Sequence, residues 1–297
     1  AARDLLIDYA NASEADKSEV AAGAEMLSKA RGAAAPAKAI FDVAVAKRLG
    51  VTVDEAWDAE QFTALAAMRE VRDAVDPLQP AHMPYLFPEV FLRERPGFDV
   101  LVGNPPWEKL HVEAHQWWGL RIPGLRSMPQ AEMNRVLRSF QESRPDLVSA
   151  YESDIAAVAM MNRAVAAGPF PGIGAAHIDL FSAFAWRNWL LIRGNGRAAI
   201  VLPRGALAGS GLAEWRRQVL AQGSFTDVCF LLNNQRWVFP NVHPQYTVGL
   251  TVLERSDRHV ASFCGPFANE AEFLTGANTL ASTPAEEFLS WSATAAF

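Results

Sequence analysis

Cysteine is scarce in this sequence, with only Cys229 and Cys264 among its 297 residues. Each lies in an apolar, strand-like run, and no group of cysteines and histidines has the spacing of a zinc site. We therefore expect two buried, reduced thiols and no metal. This pattern excludes a small secreted domain held by disulfides and favours a cytoplasmic protein.

Long hydrophobic runs are lacking as well. The longest ones, such as residues 198–202 and 225–232, are far shorter than the roughly 18 residues that a membrane-spanning helix needs. The first residues, Ala1-Ala2-Arg3-Asp4, do not have the pattern of a signal peptide and include no initiator Met. We expect a piece of a longer protein that has no membrane partner.

An excess of basic residues is also missing, since the net charge is −6. Compact modules that bind nucleic acid are usually basic. A nucleic-acid partner would therefore require a local basic patch, or a gripping surface outside these residues. Half of the residues are hydrophobic and 20% are charged, which is typical of a globular α/β or mixed protein. The length allows one large domain or two ordinary ones.

The first part of the chain has a helical pattern. Residues 1–80 are rich in Ala, Glu, Lys and Asp, and their apolar positions recur at three- and four-residue spacing. Gly32 and Gly50 fall where helices would end. We interpret this stretch as a helical segment or insertion without chemistry of its own.

Alternating strand and helix signals follow and predict an α/β fold with a doubly wound sheet. Residues 98–103 form a short apolar run that ends at a Gly and two prolines, which predicts a buried parallel strand. Residues 108–178 carry no strand signal and predict a helical insertion, with the Trp117-Trp118 pair inside its packing. The later elements are a helix over 179–193 ended by Gly194-Asn195-Gly196, a strand over 197–203, a helix over 209–220, and strands over 225–232 and 246–253.

The sharpest motif is Asn104-Pro105-Pro106-Trp107, directly after the first predicted strand. It resembles the catalytic motif of amino-methyltransferases that use S-adenosylmethionine. Residues 87–91 and 97–103 lead into the motif and make it similar to the adenine methylases of type IIG restriction–modification enzymes and of the BREX and DISARM phage-defence systems. The agreement covers roughly residues 84–255 and continues through residues 179–181, 196–203 and 239–247. By themselves, the four residues would also fit a strand-end turn with a buried Trp.

The resemblance implies a Rossmann-like methyltransferase sheet, of which this chain holds the later strands. Residues 81–255 would be the catalytic portion, and residues 256–297 would begin a following region that leads toward target recognition. The implied cofactor is S-adenosyl-L-methionine and the implied partner is double-stranded DNA. A nuclease or recognition domain would lie outside this chain.

The residue types of the motif suit transfer to an adenine amino group, which is a poor nucleophile because its lone pair is delocalised into the ring. The side-chain oxygen of Asn104 and the carbonyl of Pro105 can accept its two N–H bonds and localise that lone pair. Two successive prolines stiffen the loop, so that the acceptors are set in advance. Trp107 offers an aromatic face to a base that has been flipped out of the duplex.

A second segment, Gln235-Arg236-Trp237-Val238-Phe239-Pro240, lies between two predicted strands. In the resembling family this region helps to form the pocket for the target base. By that likeness Phe239 would face Trp107 across the base, and Trp237 and Tyr246 are further pocket candidates. A hairpin loop with an aromatic in the core is the alternative interpretation.

The cofactor-binding element of the family is missing from the sequence. Members bind S-adenosylmethionine with a Gly-rich loop after the first strand, and no such element precedes Asn104. Gly172-Ile173-Gly174 comes later and is a weak match. Asn104 is therefore the one residue here that we assign to cofactor binding.

We expect an S-adenosylmethionine-dependent DNA adenine-N6 methyltransferase that acts in restriction–modification or phage defence. Protein-glutamine methylases and RNA adenine methylases keep the motif and change the substrate, and both stay open as alternatives. A third alternative is an inactive methylase fragment that serves as a DNA-binding or scaffold subunit, which the missing Gly-rich loop favours.

Overall fold

The computed structural model describes residues 1–12, 16–174 and 178–297. The sequence-predicted helical segment 1–80 and insertion 108–178 each contain three residues that lie outside the described ones. Within the described part, one six-stranded sheet has the spatial order β1-β2-β4-β3-β5-β6. Its strands are β1 (Phe98–Gly103), β2 (Ile192–Pro203), β3 (Ser224–Leu232), β4 (Thr247–Glu254), β5 (Val260–Phe267) and β6 (Ala281–Pro284).

The sheet is mixed. Strand β1 is parallel to β2, β3 is parallel to β5, and β4 runs antiparallel between β2 and β3. Strands β1, β2, β3 and β5 therefore point the same way, and their carboxyl ends meet at one edge, which is where α/β sheets bind ligands. The α/β class agrees with the sequence prediction. The doubly wound pattern does not extend to β4, which turns back between two parallel strands.

The prediction that residues 98–103 form a buried strand is wrong in one respect. It is parallel to β2 as expected, but it lies at the edge of the described sheet. Val100 is 60% exposed and Val102 is 80% exposed. The hydrophobic run predicts burial on both sides, whereas no strand among the described residues pairs with the outer edge of β1.

The main core lies on one face of the sheet, beneath α10 (Leu180–Leu191), α11 (Arg204–Ala208), α12 (Ala213–Gln222) and α14 (Ala285–Trp291). Alternation along β2 places Ala198, Ile200 and Leu202 on this face. Tryptophans 186, 189 and 215 are fully buried there. The Trp215 indole donates to the Ala185 carbonyl at 3.1 Å. Burial of large aromatic side chains makes this layer the main source of hydrophobic stabilisation.

Residues 256–297, expected to begin a following region, instead complete this same sheet and core. They form β5, α13 (Glu270–Gly276), β6 and α14. The Phe297 ring lies 4.8 Å from that of Phe225 on β3 and 4.6 Å from that of Phe288 on α14. The irregular sequence pattern concealed this role because short elements give weak periodicity.

Two predicted element boundaries change. Helix α10 ends at Leu191 and β2 begins at Ile192, so that Gly194-Asn195-Gly196 lies within the strand rather than at the end of the helix. The register passes from Phe98↔Ile192 to Val100↔Arg197, and the glycines accommodate the extra residues. The helix predicted over 209–220 is split into a 3₁₀ turn (Ser210–Leu212) and α12.

The N-terminal residues form a helical layer, as predicted. Its longest helix ends just before Gly50 as expected, but it continues through Gly32, where the sequence predicted a helix end. A 32-residue helix, α2, begins after Asp16, whose carboxylate caps the amides of Ser18 and Glu19. The buried pair of Asp42 and His82, at 2.8 Å, fixes α2 to the segment before the sheet. The helices of this layer are α1 (Ala2–Ala10), α2 (Lys17–Arg48), α3 (Ala59–Ala67), α4 (Arg69–Val75), α5 (Met83–Leu86) and α6 (Pro88–Phe91).

The region between β1 and α10 is helical and has a core of its own. It contains α7 (Ala114–Gly119), α8 (Gln130–Ser143) and α9 (Pro145–Ala166). Trp117 and Trp118 are buried in that core with Ile122, Leu125 and Met133. The tryptophan pair therefore packs within the insertion, as expected.

Neither a membrane-spanning helix nor a metal-binding group is found among the described residues. In those ranges no helix is long and apolar enough to cross a membrane. The same ranges contain no group of three or more His, Cys, Asp or Glu side chains placed to hold a metal ion.

Arg216 is a charged residue in the centre of the core. It is 0% exposed and donates to four carbonyl oxygens, those of Ala206, Gly209, Thr294 and Ala295, at 2.6 to 2.8 Å. Burial lowers the pKa of Arg216 to about 10, so the guanidinium stays protonated at neutral pH. The residue therefore joins α12 and the turn after β2 to the C-terminal segment.

We predict that Arg216→Met lowers the free energy of unfolding by about 3 kcal/mol, because the carbonyls lose their donors away from water. Arg217→Met is the matched control. Arg217 is exposed, pairs with Glu214 at 3.4 Å and donates to the Ala293 carbonyl, so its loss is expected to cost about 1 kcal/mol or less. Urea denaturation of the three proteins measures both values, and equal losses for the two variants would contradict the structural role of Arg216.

Candidate active site

The motif lies at the carboxyl edge of the sheet, where the sequence placed it. Asn104-Pro105-Pro106-Trp107 directly follows the last residue of β1. The chain beyond it is attached to the start of α10, since Leu110 donates its amide to the Ile178 carbonyl at 2.8 Å and Leu180 donates to the Glu108 carbonyl at 3.0 Å. These bonds hold the motif between the end of β1 and the start of α10.

Asn104 and Pro105 differ in exposure. The Asn104 side chain is exposed and accepts or donates no hydrogen bond within the described residues, whereas Pro105 is buried and Pro106 is exposed. The carboxamide is therefore free to receive a ligand, on a backbone stiffened by two prolines.

Trp107 is half-buried and contacts three residues on two elements, strand β2 and the connection from β3 to β4. Its indole N–H donates to the Val201 carbonyl of β2 at 3.4 Å. The Phe239 ring lies 6.1 Å away at 88°, and the Tyr246 ring lies 6.4 Å away at 31°. We call Trp107, Phe239 and Tyr246 the aromatic edge cluster. It joins residues that are more than a hundred positions apart in the sequence.

Phe239 and Tyr246 both belong to the connection from β3 to β4, residues 233–246. This connection packs on the opposite face of the sheet from the main core, together with Val201, Leu250 and Phe267. Tyr246 is 50% exposed and Phe239 is half-buried. Aromatic faces at a partly open rim of this kind can stack on a planar heterocycle.

Trp237 does not join the aromatic edge cluster, although the sequence made it a pocket candidate. Its indole N–H donates to the Leu232 carbonyl at 2.6 Å, and its ring lies 6.3 Å from Phe273 of α13. It thus supports the connection from the side of β5. Sequence alone could not decide which aromatic faces Trp107, because all three lie in one irregular segment.

Asn233 was missed by the sequence reasoning. It is fully buried at the end of β3, and its side chain makes hydrogen bonds to the backbone of the connection that carries Phe239. The sequence signal was an Asn-Asn pair directly after a strand, where Asn side chains often bond to nearby backbone.

Cys229 and Cys264 lie beneath the connection as free, buried thiols. Burial raises the pKa of Cys229 to about 12 and also raises the pKa of Cys264. Both therefore stay protonated at neutral pH and act as small apolar packing groups. Neither thiol is suited to act as a nucleophile.

No cofactor cradle precedes β1 in the described residues, which are helical up to Phe91. The weak match Gly172-Ile173-Gly174 follows α9, and its first glycine lies next to Glu214 of α12. It is therefore not a strand-to-helix turn of the kind that holds a nucleotide.

We predict that Asn104→Ala changes the free energy of unfolding by about 0.5 kcal/mol or less, since the side chain supports nothing in the fold. Trp107→Ala is expected to cost about 2 kcal/mol, because the indole packs against β2 and Phe239. Urea denaturation of both variants provides the comparison. A large loss for Asn104→Ala would mean that the residue serves the fold instead of a ligand.

Comparison with protein-family models yields no match for this chain, and no curated protein matches it. Any proposal for the function must therefore be argued from the residues at the carboxyl edge of the sheet.

Proposed function

We propose that this chain holds the target-base half of an S-adenosylmethionine-dependent DNA adenine-N6 methyltransferase with a Rossmann-like sheet. The observation that carries the proposal is the placement of Asn104-Pro105-Pro106-Trp107 after a parallel strand, with Trp107 in ring contact with Phe239 and Tyr246. Two distant segments that the sequence assigned to one base pocket converge at this edge.

The proposed chemistry begins with the amino group of a flipped-out adenine. Its two N–H bonds donate to the free side-chain oxygen of Asn104 and to the carbonyl of Pro105, which localises the nitrogen lone pair. S-adenosylmethionine supplies the methyl group. The acceptors sit on a stiff loop, so little reorganisation opposes the reaction.

The aromatic edge cluster supports a planar base as the ligand. Trp107 is held through its indole N–H to β2 and is only half-buried, so part of its ring is open to stack on a base. Stacking on an aromatic side chain contributes about 1–3 kcal/mol per base. A half-buried rim also suits a base that enters from outside, as a flipped nucleotide must.

The cofactor side of the site must come from residues beyond those described here. The exposed β1 edge and the helical residues before it supply no Gly-rich cradle in the described ranges. This observation also favours the second candidate, in which the chain alone is a DNA-binding or scaffold subunit. Both candidates use the same base pocket and differ only in whether methyl transfer occurs.

We predict that Asn104→Ala lowers the rate of methyl transfer at least about a hundredfold, because one of two acceptors for the amino group is lost. The assay incubates the chain, with any upstream sequence of its gene included, with labelled S-adenosylmethionine and mixed-sequence duplex DNA. N6-methyladenine is the product to be measured. Asn134→Ala, an exposed Asn in the insertion, is the matched control and is expected to keep full activity.

RNA and protein serve as parallel substrates in this assay. Label that appears in RNA or on glutamine instead of in DNA would keep the site and change the substrate class. If a folded form that does contain a Gly-rich loop transfers nothing to any substrate, the enzyme proposal fails and the scaffold role is left.

A further inference from the structure

Asn233 satisfies its whole side-chain amide within the connection from β3 to β4. The side-chain oxygen accepts from the amides of Val238 and Phe239 at 3.2 and 3.0 Å. The side-chain nitrogen donates to the carbonyls of Phe239, Val242 and His243 at 3.2, 3.1 and 3.5 Å. Since a primary amide offers two donors and two acceptor positions, this 0%-exposed group is saturated by one loop.

The backbone of Asn233 closes the same loop from its two ends. Its amide donates to the Tyr246 carbonyl at 3.0 Å, and its carbonyl accepts from the Arg236 amide at 2.8 Å. Between them, Gln235 and Arg236 have φ of 56° and 62°. Two successive side-chain-bearing residues in the left-handed region are unfavourable by themselves, so the surrounding bonds must hold them.

Asn233 is hydrogen-bonded to both residues whose rings contact Trp107. Phe239 is bonded through its amide and its carbonyl, and Tyr246 through its carbonyl. The rings of these two residues form the aromatic edge cluster with Trp107. Trp237, by contrast, is held by the Leu232 carbonyl and has its ring next to that of Phe273.

We propose that Asn233 is a positioning residue for the target base, a role that rests on the proposed function. It fixes the β3–β4 connection so that Phe239 and Tyr246 stand at their places around Trp107 before a base enters. A pocket set in advance loses less conformational entropy on binding, and the base gains correspondingly more affinity.

The test is a comparison of two DNA affinities, measured by fluorescence anisotropy with labelled duplexes. As in the methyl-transfer assay, the protein includes any upstream sequence of its gene, because this chain alone has no excess of basic residues to bind the DNA backbone. One duplex has an adenine opposite an abasic site, which extrudes at little cost and needs no recognition sequence. The other is abasic on both strands at that position. The ratio of the two dissociation constants isolates the contribution of the base, and we expect about tenfold for the wild-type chain.

Asn233→Asp is the main variant, because it keeps the shape and the acceptors but turns a carboxylate toward three carbonyl oxygens. We expect the ratio to fall to about one, with unchanged affinity for the doubly abasic duplex and cooperative thermal unfolding. Asn234→Ala, at the exposed neighbouring position, is the matched control and is expected to keep the wild-type ratio.

Asn233→Ser provides a second variant that carries no charge, and its ratio is expected to lie between those of Asn233→Asp and the wild-type chain. It decides the question if Asn233→Asp does not fold. If a folded Asn233 variant keeps the wild-type ratio, the positioning role is overturned. The base pocket would still be supported in that case if Trp107→Ala lowers the ratio to about one. A ratio of one in the wild-type chain would instead refute the proposed function.

Discussion

The contact of the Trp107 indole with the Val201 carbonyl fixes the geometry on which the candidate site depends. It attaches the residues after β1 to the neighbouring strand β2. The connection that carries Phe239 and Tyr246 reaches the same place because β4 turns back between β2 and β3. If β4 paired at the far side of β3, these aromatic residues would lie away from Trp107. The antiparallel strand thus brings two distant sequence segments together in the aromatic edge cluster.

The sequence was most informative where a local pattern determines structure. Proline geometry and a β-branched run located Asn104 at the end of a parallel strand, and helical spacing located the N-terminal layer. It was least informative where the outcome depends on distant partners. The exposure of Val102 depends on what pairs with β1, and the direction in which Trp237 points depends on Phe273. The role of Asn233 depends on a loop geometry that no window of sequence contains.

The exposure of β1 has a physical consequence for the proposed enzyme. An edge strand with exposed valines leaves unpaired backbone groups and apolar surface in water, a combination that proteins usually cover. Parallel strands in particular are found mostly inside sheets with both faces covered. Under the proposed function, a cofactor-binding part of the enzyme beside β1 would provide this cover and would place its ligand next to Asn104.

Under the proposed function, the protein must bind the DNA backbone and also hold a single base, and the net charge of −6 bears only on the first of these tasks. Affinity for duplex DNA comes mainly from phosphate contacts with basic residues, and this chain has no excess of them. Under the proposed function, the candidate site instead offers stacking faces and fixed acceptors that would recognise a single base and its amino group. Because stacking and amide acceptors do not depend on net charge, an acidic chain can hold the base while another surface binds the DNA backbone. Under the proposed function, the negative net charge therefore restricts which surface can bind the DNA backbone. It does not affect the reaction proposed for Asn104.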